Sequence, residues 1–369
     1  MSAAAMRAVR WHGREDVRVD AVPVPAAPGP GQVRVAVAWT GICGTDREEW
    51  RHGPIFIPAG TPHPITGVAA PIVLGHEIAG HVLETGPGVT GLRPGDLVAV
   101  DPNLFCGTCW WCVRHEIVLC PSYGALGFSR DGGLAEQVIV EAFQCIVVGA
   151  GTDAASAALA EPLSVGVRAL RRGRLRHGES VAIVGAGMIG IATLAAARAA
   201  GAGRTIVLDP LPGRRDLATR LGADVVLDPT DPDAVAAVRA ETEGRGADLV
   251  VESAGVPGSA ATALALTRRG GRCAVVGISA RPSEIDTLDL AVRELQMIGV
   301  MSHVWDEDFA AAVRLLERGA LRADDVVALR LPLEDAVERG FTSVGRSDIA
   351  GVKVLVSPAL RSGGSGATR

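Results

Sequence analysis

The sequence has no apolar run of the ~20 residues that a membrane span requires. Its amino terminus, MSAAAMRAVRWHG, carries no apolar stretch after a basic start, so a secretory signal is not expected and the address read from the chain is cytoplasmic. An excess of one charge is also missing: 36 basic residues stand against 41 acidic ones, for a formal net charge of −5. The basic residues are scattered and form no stripe, which leaves no footprint for a phosphate backbone; neither nucleic acid nor a membrane is expected as a partner. Lysine is almost absent, Lys353 being the only one. Together with the abundance of Ala, Gly, Arg and Pro, this reads as the coding bias of a GC-rich genome. With 48% hydrophobic and 21% charged residues, disorder, collagen and coiled coil are excluded. The 369 residues, at roughly 150 per domain, imply two domains.

What is present divides the chain. From Met6 to about Val148 short β segments, such as Val33 to Ala38, Leu97 to Val100 and Glu136 to Val140, are punctuated by Gly and Pro, the rhythm of a barrel-like β domain with long loops. Ser180 to Gly185, the Ala-rich segment Met188 to Ala200 and Thr205 to Asp209 read as a βαβ unit. Strands at Ala223 to Leu227, Asp248 to Glu252 and Cys273 to Ile278 extend it to a parallel doubly wound sheet. Beyond about Met301 a helix at Asp308 to Arg318 and a closing strand at Gly351 to Val356 are expected to return to the first domain. The tail SGGSGATR is Gly and Ser rich and is expected to be disordered.

Seven cysteines in a reducing compartment point to metal ligands or buried thiols more than to disulfides. Cys106, Cys109, Cys112 and Cys120 lie in CGTCWWCVRHEIVLC, and four thiolates in one loop can close a tetrahedron around a structural zinc with no open position. His115 is kept outside that set. Cys43 in GICGTD and His76 with Glu77 in LGHEIAG form a second constellation. A catalytic zinc takes about three protein ligands of mixed type and leaves one position open; Cys43 and His76 supply two. The third piece is GAGMIG, with Gly185, Gly187, Met188, Ile189 and Gly190 after an apolar strand and opening a helix. Such a turn lets a pyrophosphate approach the backbone at a helix N-terminus. Asp209 ends the next strand, where an acid accepts hydrogen bonds from ribose hydroxyls and repels a 2′-phosphate, so NAD is favoured over NADP. Arg214 and Arg215 keep NADP open, since a nearby arginine can accommodate that phosphate.

Together GICGTD, LGHE, the four-cysteine loop, AEPLSVG and GAGMIG resemble the zinc-dependent medium-chain dehydrogenase/reductase superfamily, over Met6 to Ser357. The stretch Gly53 to Glu77 is most similar to the 2,3-butanediol dehydrogenase branch, near the sorbitol and threonine dehydrogenases. The resemblance implies an α/β fold, a GroES-like catalytic domain (1–155 and 301–369) interrupted by a Rossmann domain (156–300), with the active site in the cleft between them. It makes Cys43 and His76 ligands of a catalytic zinc and Glu77 a ligand or exchangeable near-ligand, with Glu161 of AEPLSVG near or on the metal. Thr45 matches the hydroxyl that hands on the substrate proton, and Asp46 an acid that orients the metal histidine. Glu48 stands where many members carry the histidine that ends the proton relay; either it does that job or the proton leaves by water, with His52 a further option. Trp50, Phe56 and Trp305 are candidates for the substrate wall or for plain core. The implied reaction is reversible NAD-linked oxidation of a secondary alcohol, with one catalytic and one structural zinc per chain and a homodimer or homotetramer. An NADPH-preferring carbonyl reductase and a catalytically silent NAD-binding zinc protein are the alternatives.

Overall fold

The computed structural model describes residues 4–279, 281–343 and 351–361; the Gly- and Ser-rich tail 362–369 lies outside the described residues. The described residues form two compact units: 4–161 with 322–343 and 353–361, and 162–321 with 351–352. The return to the first unit therefore comes at Arg322, later than the 301 read from the sequence, and the first crossing follows Glu161, later than 155. No helix among the described residues is long and apolar enough to cross a membrane.

The first unit is built around the long strand Gln32–Ile42. Its alternating Val33, Val35 and Val37 are buried in a core with Ile78, Val82, Val98, Val100, Val138 and Val140, the period-2 pattern of a half-buried strand. Glu77–Thr85 and Gln137–Glu141 pair with it antiparallel. Lys353–Ser357 also runs antiparallel to it, against its carboxy-terminal end. A hairpin of Ala5–Gly13 and Asp16–Pro23 forms a separate sheet with Ile72–Val73.

The second unit holds a six-stranded, wholly parallel sheet in the order Val225–Leu227, Arg204–Leu208, Ser180–Val184, Ala247–Glu252, Thr267–Val275 and Gln296–Gly299. Val181 to Val184 and Leu249 to Val251 are buried on both faces, as parallel strands under helices require. The direction of winding reverses between Ser180–Val184 and Ala247–Glu252, the place where such sheets open a crevice for a dinucleotide.

Candidate active site

Register brings two distant motifs together. Gly41 lies opposite both Glu77 and Leu355, so the end of strand Gln32–Ile42 is flanked by the start of Glu77–Thr85 and by the strand of Lys353. Cys43 follows directly as the N-cap of the helix Gly44–His52, and His76 precedes its strand by one residue. Gly41 is required here because a Cβ would stand 1.7 Å from Glu77 Oε2. The ligand atoms of Cys43, His76 and Glu77 consequently lie within 4.8 Å of one another. Asp46, three residues after Cys43 on the first turn of the helix, accepts a hydrogen bond from the Cys43 amide at 2.9 Å. Its other oxygen stands 3.3 Å from His76 Nδ1, leaving Nε2 for a metal. Burial alone would lower the His76 pKa, but the Asp46 carboxylate and Cys43 outweigh it and hold it well above 6.5. The Thr45 hydroxyl is 3.7 Å from Cys43 Sγ.

Glu77 is fully buried and both its oxygens accept from Lys353 Nζ, at 2.5 and 2.7 Å. Lys353 also donates to the Ile42 carbonyl at 3.4 Å. Burial opposes its charge, yet Glu77, Cys43 and Glu161 raise its pKa above 10.5. Glu161, at the start of helix Ala160–Arg172, is thus within electrostatic reach of the cluster but outside the three-residue ligand group. Glu48 is half exposed, 3.7 Å from His52 on the next turn.

Cys106, Cys109, Cys112 and Cys120 form the second group of potential ligands. The sulfurs of Cys106 and Cys112 are 3.8 Å apart and those of Cys109 and Cys112 are 3.5 Å apart, close to the ~3.8 Å edge of a zinc–sulfur tetrahedron with ~2.3 Å bonds. The Cys109 amide points at Cys106 Sγ and the Cys112 amide at Cys109 Sγ, at 3.3 and 3.4 Å. Backbone donors from Thr108 and Cys109 pull the Cys106 pKa down to about 6, whereas burial and Cys109 push Cys112 up to about 12. His115 is exposed and stands apart from this group.

In the second unit the strand Ser180–Val184 leads through Gly185 into the helix Met188–Ala199, capped by Gly187. Gly190 must lack a side chain, since a Cβ would meet the Gly185 carbonyl oxygen at 1.8 Å; Met188 and Ile189 are half-buried beside it. Asp209 is buried, and its carboxylate accepts from the Ala186 and Leu211 amides at 2.8 and 2.9 Å. It thereby ties the glycine turn to the end of the neighbouring strand. Arg214 stands 3.6 Å from the same carboxylate. Arg215 instead donates to the Asp209 and Pro210 carbonyls and to Asp228.

Three residues escaped the sequence reading. Lys353 carried one signal, a single lysine inside an apolar strand. Glu49, fully buried on the helix after Cys43, and Phe128, whose ring centroid is 4.9 Å from that of His76, carried none. Of the aromatic candidates, Phe56 packs on Phe128 with centroids 5.9 Å apart, Trp50 packs edge-on against Phe341, and Trp305 belongs to the second unit.

Residues 29–150 match the alcohol dehydrogenase GroES-like domain and residues 189–318 match the zinc-binding dehydrogenase domain. The chain is 34% identical to the (R,R)-butanediol dehydrogenase of Bacillus subtilis, over 96% of its own length and 100% of the relative's. It is also 34% identical to the L-threonine 3-dehydrogenase of Pyrococcus furiosus, over 92% and 94% of the two chains. A zinc-binding dehydrogenase structure from Sinorhizobium meliloti, bound to NADP, superposes with a TM-score of 0.86 at 32% identity, over 96% of this chain and 100% of the other.

Proposed function

The chain belongs to the zinc-dependent medium-chain dehydrogenase family, and from that premise we propose that it oxidises a secondary hydroxyl of a vicinal diol or polyol to the ketone, reversibly, with NAD as hydride acceptor. The observation that carries this reading is the convergence of Cys43, His76 and Glu77 within 4.8 Å, with a hydroxyl, that of Thr45, 3.7 Å from the cysteine sulfur. Cys43 and His76 would hold a catalytic zinc, with Glu77 and Glu161 as exchangeable neighbours; Cys106, Cys109, Cys112 and Cys120 would hold a structural one. Bound there, zinc lowers the pKa of an alcohol and NAD accepts hydride.

The chain's own groups do the rest. Asp46 orients His76 and keeps Nε2 aimed at the metal. Thr45 takes up the hydroxyl proton and passes it outward. Thr45, Glu48 and His52 follow one another at i, i+3 and i+4 spacings, one face of the helix, and Glu48 with His52 reaches solvent; that face is the proposed relay. The turn Gly185–Gly190 receives the pyrophosphate and Asp209 the adenosine ribose. The similar NADP-bound structure and the approach of Arg214 to Asp209 support a second reading, in which NADPH is used.

We also assign the enzyme to the cytoplasm, where the cluster thiols stay reduced, and to a homo-oligomer. The test is the initial rate of NAD and NADP reduction by zinc-loaded enzyme against vicinal diols, polyols and threonine. Preference for NAD with one vicinal diol is expected. Preference for NADP would favour the second reading, and no turnover of any secondary alcohol would overturn both.

A further inference from the structure

Glu49 is a fully buried carboxylate whose partners are backbone amides of one short segment. Oε1 accepts from the Ile55 amide at 2.8 Å and the Ile57 amide at 3.3 Å, and Oε2 from the Phe56 amide at 2.9 Å. The Glu49 carbonyl oxygen accepts from the Gly53 amide at 2.9 Å and from Trp11 Nε1 at 3.2 Å. A buried charge is tolerated only when its lone pairs are satisfied, so Glu49 holds three consecutive main-chain donors in one geometry. Among them Ile57 is sunk in the core, while Ile55 and Phe56 stay open, 50% and 41% exposed. Phe56 lies on Phe128 with centroids 5.9 Å apart and Phe128 on His76 at 4.9 Å. A row of rings thus runs from the surface to a residue of the ligand cluster, and the Glu49 clasp sets its outer end.

We propose that Glu49 is a positioning residue for substrate: by fixing residues 55–57 it places Phe56, backed by Phe128, as an apolar wall beside the alcohol site. The site then selects a short vicinal diol with alkyl substituents over a polyol. This rests on the alcohol dehydrogenase reading given above. The wall offers aromatic and aliphatic carbon. An alkyl group of the substrate gains by leaving water there, whereas each extra hydroxyl of a polyol gives up its hydrogen bonds to water without replacement.

The test is steady-state kinetics of the zinc-loaded, full-length enzyme with butane-2,3-diol and with glucitol, alongside zinc content and NADH titration. Phe56→Ala, at a half-open position, is expected to raise KM for butane-2,3-diol by about tenfold with kcat within about twofold, and to narrow the preference over glucitol. Glu49→Gln replaces one acceptor oxygen by a donor facing the amides and is expected to move KM in the same direction at unchanged zinc content. In the double variant the two effects should fall short of multiplying, because both act through one wall, and Glu49→Asp should recover part of the loss. An unchanged diol-to-glucitol ratio in Phe56→Ala, or a fall of kcat in step with zinc content in Glu49→Gln, would overturn the inference. Absence of turnover with every secondary alcohol in the wild type would overturn instead the functional reading beneath it.

Discussion

Lys353 and Glu77 face each other in the interior with both charges out of water. Such a pair adds little when intact, compared with apolar residues of the same volume, yet removing one member strands the other. Lys353→Met is therefore expected to cost about 3–5 kcal/mol in a guanidinium titration at pH 7, and Glu77→Gln added to it should regain most of that. A loss below about 1 kcal/mol would show the pair to behave like a solvated one. Because the folded pKa of Lys353 is raised above 10.5, the pair's contribution is fully present below that value and is lost as the pH climbs through the folded pKa. The pair is also the least legible part of the site. Cys43, Thr45 and Asp46 are contiguous in GICGTD, and the family resemblance of that motif is what singled them out. Lys353 reaches Glu77 across 276 positions through strand register alone, and no local pattern encodes that register.

At the level of elements, backbone donors and burial decide the reactivity of a cysteine. The thiolate is the attacking species. In the four-cysteine loop Cys106 has its pKa drawn down to about 6 by backbone donors. Burial pushes Cys145, in strand Cys145–Val147, and Cys273, in strand Thr267–Val275, up to about 12. At pH 7.5 that leaves a thiolate fraction on the order of 1 in 10⁴ to 10⁵ at the latter two. Alkylation followed by peptide mapping should find the loop cysteines protected while zinc is bound. After chelation Cys106 should label first, with Cys145 and Cys273 unlabelled until denaturant is added. Labelling of Cys273 in the folded, zinc-loaded protein at the rate of a free thiol would refute this. The loop and the βαβ unit were legible because their chemistry is contiguous. The helix Gly44–His52, by contrast, carries no helical signal in sequence: its exposed face is charged, and its inward Asp46 and Glu49 are polar, so it shows no apolar stripe.

For the molecule as a whole, sequence pattern located two units but not the point of return between them. Residues 308–318 do form a helix in part, preceded by a π-helical turn Trp305–Phe309, but it stays with the second unit. The reason is Asp308, fully buried, which accepts from Arg171 at 2.7 and 2.8 Å, from Arg168 at 3.3 Å and from the Val304 amide at 2.9 Å. An aspartate in the turn before an Ala-rich helix gives no hint of two arginines some 140 residues earlier. Among the described residues the second unit ends its sheet on a strand with no partner on its outer side. Gln296–Gly299 pairs on one side only, Met297 on it is 43% exposed, and Val292 and Leu288 in the helix Thr287–Val292 before it are open as well. An edge strand with free main-chain groups and apolar neighbours invites a second copy of itself, and a lysine on such a strand discourages it. Light scattering after gel filtration should give the wild type a mass of at least two 38.0 kDa chains, and the Val292→Asp, Met297→Lys double variant the mass of one. Both side chains point into solvent, so the variant should keep the wild-type melting profile. If its mass stays that of the wild type, the association uses another surface.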